Sequence, residues 1–230
     1  SLFSESQRLH IVSMQDRDGI TILHWAAHSG NFEVVETILA VYPELERLPV
    51  LTTTSPCGGT VLNLVAESNK VECIKGVLAL FPESEHLHLV SMADNNGWTA
   101  LHRAAWSGNF AMIETILEIY PESERLPALN RTTHEGATVL HCTTWPNKVE
   151  CIKAVLSLYP ESQRLQALDK QNSYGRTVLD IMREEARNSV LEWLSKLEKS
   201  VLKRSHHSST LETTDEGNID QPPDAKRQRT

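Results

Sequence analysis

Three histidines stand at matched places in this sequence. His24, His102 and His141 each end a Thr-x-Leu-His string that begins at Thr21, Thr99 and Thr138. Imidazole titrates near neutral pH and ligates metals, so such a series invites acid–base or zinc chemistry. Zinc, however, needs ligands that converge on one point, and packed helical units sit about 10 Å apart. Cys142 next to His141 raises a Cys–His nucleophile, but neighbouring residues on a helix point in different directions. Cys73 and Cys151 occupy equivalent positions two units apart, about 20 Å on that spacing, too far for a disulfide. Set among Val and Ile, both read as small buried hydrophobes, whereas Cys57 reads as an exposed turn residue. Acids such as Glu122 and Glu124 recur unit by unit and read as a solvated edge. No Gly-rich phosphate loop or metal-ligand spacing occurs. No catalytic, cofactor-binding or metal-binding residue is assigned, and the chain reads as a non-enzyme; a cysteine-dependent enzyme is the remotest reading.

Composition narrows the class further. The chain has 230 residues, 40% of them apolar and 23% charged. Lys and Arg number 22 against 30 Asp and Glu, a net charge of -8. That balance argues against nucleic-acid binding, which needs a cationic face. No run approaches the roughly 18 apolar residues of a membrane helix, and no signal peptide is evident. Four cysteines are too few for a disulfide scaffold, which points to a reducing, cytoplasmic setting, a nuclear or host-cell cytosol included. The first residue is Ser rather than Met, so the natural N-terminus is expected to lie further upstream.

The residues that matter repeat every 39 positions. Thr recurs at Thr21, Thr60, Thr99, Thr138 and Thr177; Gly at Gly19, Gly58, Gly97, Gly136 and Gly175; Leu at Leu23, Leu62, Leu101, Leu140 and Leu179. Pro43, Pro82, Pro121 and Pro160 keep the same spacing. A longer period overlies it: Asn69 to Lys75 recurs letter for letter at Asn147 to Lys153, 78 residues on. Units one and three match, as do two and four, as if a two-unit block had been duplicated. Phe3 to Leu9 aligns with Tyr159 to Leu165, so the chain opens in the tail of an earlier unit.

One unit shows how these columns would be positioned. Asp94-Asn95-Asn96-Gly97 is a turn, since Asx and Gly tolerate tight-turn angles. Thr99 is placed to cap a helix N-terminus, and Leu101, Ala104 and Ala105 make one apolar stripe. Gly108 ends this first helix in a left-handed conformation, matched by Gly30, Asn69 and Asn147. Phe110, Ile113, Ile116, Leu117 and Tyr120 predict a second, longer helix that Pro121 stops. The segment from Pro121 to Leu126 is expected to begin one more turn. Such a unit cannot bury its apolar face alone and must stack on copies of itself.

The string Asp16-Arg17-Asp18-Gly19-Ile20-Thr21-Ile22-Leu23-His24-Trp25-Ala26-Ala27-His28-Ser29-Gly30 resembles the ankyrin repeat. Unit three keeps Gly97, Thr99, Leu101, His102, Ala104 and Ala105, and unit four keeps Thr138, Leu140 and His141. Asn63 and Asp180 stand in the His column of units two and five. The family's Pro after Thr is replaced by Ile22, Val61, Ala100, Val139 and Val178, and the period is 39 rather than the usual 33. The excess follows the second helix. The resemblance implies an all-α, ankyrin-type helical solenoid with turn or hairpin tips along one edge. It also implies that each His hydrogen-bonds its capping Thr and neighbouring backbone.

The expected organisation is a remnant of a preceding repeat over 1–15 and repeats over 16–54, 55–93, 94–132 and 133–171. A capping repeat follows over 172–198, polar at Arg183, Glu184 and Glu185, and then the end of the last helix and a disordered tail over 199–230. Val190, Leu191, Leu194, Leu197 and Val201 predict a final helix to about Arg204, with the tail from His206 and a basic cluster from Lys226 to Arg229. That cluster reads as a solvated terminus or as an import or secretion address.

The resemblance also marks the positions that contact partners: the turn tip, the residue after the turn Gly and the end of the first helix. Here these are Trp98, Trp106, Trp145, His28, Glu67, Arg17, Asn95, His134, Glu135 and Tyr174. Tryptophan is enriched at interface hot spots, although cover by the long insert would make these side chains core instead. Trp25 lies outside the Trp106 column and is expected to pack between units, and Trp193 to pack in the core. The expected function is a protein–protein interaction scaffold that binds through the concave face of the array. The other reading is a spacer or assembly module of a longer protein, such as a secreted bacterial effector, with its activity in an N-terminal domain. Residues 1–198 carry a net charge of -9 and residues 199–230 a net +1. The expected partner is therefore a neutral or basic protein, with no nucleic acid, membrane or small-molecule substrate implied.

Overall fold

A computed structural model describes residues 3–145 and 148–211. It divides into two compact units, residues 1–187 and 188–230. Among the described residues the regular structure is helical, with no named strand. The helices in chain order are α1 (Glu5–Ser13), α2 (Ile22–Ser29), α3 (Phe32–Leu39), α4 (Glu44–Thr52), α5 (Val61–Glu67), α6 (Val71–Leu78), α7 (Glu83–Ser91), α8 (Ala100–Trp106), α9 (Phe110–Ile119), α10 (Glu122–Asn130), α11 (Val139–Cys142), α12 (Val149–Ser157), α13 (Arg164–Asp169), α14 (Val178–Ile181) and α15 (Glu184–Leu211). A single 3-10 turn, Glu161–Gln163, precedes α13. The first unit is an all-α repeat solenoid in which first helices stack on first helices, α2 on α5 and α5 on α8.

Each repeat begins with a turn held by one side chain. Oδ1 of Asp94 accepts the backbone N–H groups of Asn96 and Trp98, at 2.8 and 2.9 Å. Asp16 does the same for Asp18 and Ile20, and Asn172 for Tyr174 and Arg176. Ser55 and Thr133 have one side-chain oxygen and accept one N–H each, from Gly59 and Ala137. Gly97 closes its turn at φ 81°, in the left-handed region that a Cβ disfavours. Successive turns are laced by backbone hydrogen bonds: the N–H groups of Asn95, His134 and Ser173 donate to the carbonyls of Cys57, Asn96 and Glu135.

The Thr column then caps the first helices, as its residue type predicts. Gly30, Asn69 and Gly108 end them with φ of 69°, 64° and 67°, which accounts for a column limited to Gly and Asn. Asn147 lies outside the described residues. The apolar stripes of first and second helices form the core, with Leu23, Leu62, Leu101 and Leu140 all buried.

The additional residues of the 39-residue unit build more than the expected single turn. Behind Pro43, Pro82 and Pro121 they form complete third helices, α4, α7 and α10, of nine residues each. Proline starts such a helix without losing a needed N–H, and Glu at the first and third helical positions favours its positive end. These helices cap the second helices. Nε of Arg47, Arg125 and Arg164 donates to the carbonyl of Tyr42, Tyr120 and Tyr159 at 3.2–3.3 Å. His86 holds the same register against Phe81. The conserved spacing from aromatic to Arg or His is thus a carbonyl clasp, and the four aromatic rings are buried.

The last helix departs from expectation at its end. It extends to Leu211 rather than Arg204, so the residues from His206 to Leu211, expected in the tail, are helical. Residues 212–230, with the basic cluster, lie outside the described residues. Arg183, Glu184 and Glu185 are exposed, and Trp193 is half-buried.

Candidate protein-binding face

The histidines are built into the fold. Nδ1 of His102 lies 2.8 Å from Thr99 Oγ1 and accepts the Thr99 backbone N–H, and Nε2 faces the Arg131 carbonyl at 3.0 Å. His24 and His141 repeat the contact with Thr21 and Thr138, at 2.7 and 2.8 Å. Burial pushes the pKa of all three down, that of His102 to about 4. All three cap their first helices, and His102 also links its repeat to the segment after α10. Asp180 replaces His in unit five and accepts from the Thr177 hydroxyl at 2.8 Å.

The cysteines are free thiols, with Cys57 exposed and Cys73, Cys142 and Cys151 buried. Burial raises the pKa of Cys142 to about 12 and those of Cys73 and Cys151 to about 11, so these thiols stay protonated at neutral pH. Among the described residues no group of three or more His, Cys, Asp or Glu side chains is placed to hold a metal ion. No described helix is long and apolar enough to cross a membrane. Grooves of about 530, 500 and 460 Å³ recur between second and third helices at equivalent positions, around Leu48, Leu87 and Leu126. Their repetition marks them as a property of the unit rather than of one site.

The tryptophans break this regularity. Trp98 follows the turn glycine of unit three, Trp106 ends α8, and Trp145 holds the Trp106 position one repeat on. Trp98 and Trp106 meet edge to face, with centroids 5.4 Å apart and planes at 79°. Trp106 and Trp145 stack, 4.5 Å apart and 13° from parallel. Both contacts fall in the range favoured by aromatic pairs. Trp98 and Trp106 are half-buried, whereas Trp145 is 68% exposed. The result is an aromatic ladder across two repeats whose last rung faces solvent.

A charge cluster built on the buried Asp94 supports the ladder. The Arg103 guanidinium lies 5.1 Å from the Trp98 ring centroid, within cation–π reach. It donates to Asp94 Oδ2 at 2.6 Å and to Glu67 Oε2 at 3.2 Å. The Asp94 side chain is fully buried, with one oxygen holding the turn and the other holding Arg103. Sequence reasoning missed Arg103 and this role of Asp94. The available signal was a lone Arg in a column otherwise filled by Trp25, Leu64, Cys142 and Ile181.

Unit one carries a variant of the same device and corrects one expectation. Trp25, expected to pack between units, is 56% exposed. Its indole N–H donates to Asp16 Oδ2 at 3.1 Å, the bond that Arg103 makes to Asp94 in unit three. The second carboxylate oxygen, free once the turn is tied, draws the ring outward. Trp25 also meets the exposed His28 edge to face.

The other expected contact residues are dispersed. Glu67 joins the ladder through Arg103. Glu135 accepts from the Tyr174 hydroxyl at 3.1 Å on neighbouring turns. Asn95 Nδ2 donates to the Pro56 carbonyl at 3.0 Å, so this side chain braces two turns. His134 and Arg17 lie exposed on the fourth and first turns.

Known families match this architecture. A model described as "Ankyrin repeats (3 copies)" matches residues 45–125, and one described as "Ankyrin repeat" matches residues 18–46. Residues 18–125 are thus a run of ankyrin repeats. A search of curated proteins finds no match. Ankyrin repeats as a class mediate protein–protein interaction and are typically non-enzymatic binding scaffolds.

Proposed function

We propose that this chain binds a partner protein through the face made by its turn tips and first helices, centred on Trp98, Trp106 and Trp145. One observation carries the reading: three tryptophans from two repeats form a continuous ladder whose outermost ring is 68% exposed. Trp145 packs on Trp106 by one face and leaves most of its surface to solvent, and Trp anchors dominate interface energies. Arg103, Asp94 and Glu67 hold the inner ring, which reduces the ordering cost of binding. The exposed residues His28, Arg17, Asn95, His134, Glu135 and Tyr174 would form the polar rim. The acidic balance of residues 1–198, net -9, favours a neutral or basic protein, and free thiols suit a reducing compartment such as the cytoplasm.

The test compares partners cross-linked to the wild-type chain with those cross-linked to a Trp98→Ala/Trp145→Ala variant and a Leu45→Ala control. The expected partner is lost with the tryptophans, kept by the control and weakened by salt. A full partner set retained by the double variant sinks the proposal.

A further inference from the structure

The grooves between second and third helices share one construction. Each is bounded by the second and third helices of one unit and by the residues that end the next unit's second helix. Leu48 and Leu80 line the first, Leu87 and Ile119 the second, and Leu126 and Leu158 the third. None of these six side chains is buried, and Leu48 and Leu158 are 38% and 36% exposed. Second helices stack on second helices, α3 on α6 and α6 on α9. The grooves therefore form a row of open apolar sites with the spacing of packed helices, about 10 Å.

The rim of this row is acidic. Glu36 and Glu44 line the first groove, Glu83 and Glu118 the second, and Glu114, Glu118 and Glu122 the third, all of them exposed. Against these six acids stand Arg47, Lys75 and Arg125. All three cations are engaged within the chain. Arg47 and Arg125 form the carbonyl clasps, and Lys75 pairs with Glu72 at 3.3 Å. Glu44, Glu83 and Glu122 open third helices, where an acid is favoured. Helix stability gives no such account of Glu118, which lies in the last turn of α9, where the dipole disfavours an acid.

We propose that this row is a second protein-binding surface, one that takes a basic amphipathic helix of a partner protein. Its apolar side chains would recur at every seventh residue, with Lys or Arg beside them. The spacing carries the choice of helix: seven residues advance an α-helix by about 10.5 Å and return to nearly the same face. One side chain per turn pair thus meets one groove per repeat. No Trp, Tyr or Phe lines the grooves, whereas polyproline segments dock in aromatic-lined ones. The unpaired glutamates supply the charge that selects a cationic helix. The surface shares no residue with the tryptophan ladder, so it does not depend on that reading.

Binding of a fluorescent peptide to the full chain, read by anisotropy, tests this. The probe is a helix-forming peptide of about 21 residues, with Leu at every seventh position, Lys on either side of each Leu and Ala elsewhere. It should bind, and more weakly as salt is raised. The same composition with Leu at every fifth position, which scatters the leucines around the helix, should bind at least about tenfold more weakly. Leu87→Gln/Leu126→Gln should also weaken binding about tenfold or more. Glu118→Lys, an exposed change on the rim of two grooves, should do so with the circular dichroism spectrum unchanged. Trp145→Ala should bind as the wild type does. No binding at about millimolar peptide, equal binding of the two peptides, full affinity in Glu118→Lys, or loss in Trp145→Ala each overturns the proposal.

Discussion

Acid should destabilise the solenoid through His102 at a higher pH than through Asp16 or Asp180. The ordinary imidazole pKa is 6.5, and burial lowers that of His102 to about 4. Protonation would also set an Nδ1–H against the Thr99 N–H that Nδ1 now accepts. The sign follows from linkage: the unfolded chain binds the proton more readily, so stability is complete above pH 6.5 and falls as pH drops towards 4. With these two values His102 alone costs about 2 kcal/mol by pH 5 and about 3 kcal/mol by pH 4. His24 and His141 shift the same way and add to the loss. The lowered carboxylates, Asp16 and Asp180, lose their contribution only below the ordinary value of 3.8, so the windows separate. Urea melts at pH 7.5, 6.0, 5.0 and 4.5 would measure the slope. His102→Asn is the control, because Asn63 fills that column in unit two and is buried there. It should remove about 2 kcal/mol of the drop between pH 7 and pH 5. A flat profile over that range, or an equal slope in His102→Asn, would refute a buried neutral imidazole.

Three further perturbations probe separate parts of the argument. Trp145→Ala should change urea stability by no more than about 0.5 kcal/mol, whereas Trp106→Ala, half-buried between two rings, should cost about 2 kcal/mol; the reverse order would show that Trp145 is packed. Arg103→Met leaves the Asp94 carboxylate buried beside no cation and should cost about 2 kcal/mol, with a changed near-UV circular dichroism signal from Trp98. Gly97→Ala forces a Cβ to φ 81° and within 2.9 Å of the His134 backbone nitrogen. It should lower stability by about 2 kcal/mol, while Gly175→Ala, with the same left-handed φ but nothing within 4 Å, should cost less.

Which features were legible in the sequence depends on how many residues encode them. The solenoid was legible because Thr, Gly and Leu are demanded in every unit by one backbone geometry. The cap, the left-handed turn and the stripe therefore appear five times at a fixed interval. The third helix was half legible. Pro-Glu-Ser-Glu-Arg starts a helix plainly, but nothing local says whether it runs one turn or two and a half. Its later turns are held by Leu51, Leu89 and Leu129, buried near its end, a contact between helices rather than along one.

The candidate site was least legible, because function here departs from the repeat. The duplicated two-unit pattern has a physical reading in this respect. Odd units open with Asp16 or Asp94, whose second carboxylate oxygen remains available after the turn is tied. Even units open with Ser55 or Thr133, which have no such oxygen. Position nine residues on follows suit: Trp25 and Arg103 bind that oxygen, while Leu64 and Cys142 have none to bind. A donor there is therefore worth placing only in odd units, and in unit three the donor is the cation that underlies Trp98. Trp106 and Trp145, by contrast, occupy one column across an odd and an even unit and can stack because that column advances by a single repeat. The ladder thus needs both periods at once, the short one to align its outer rings and the long one to anchor its inner ring. That is why single columns revealed its tryptophans but not the arginine beneath them.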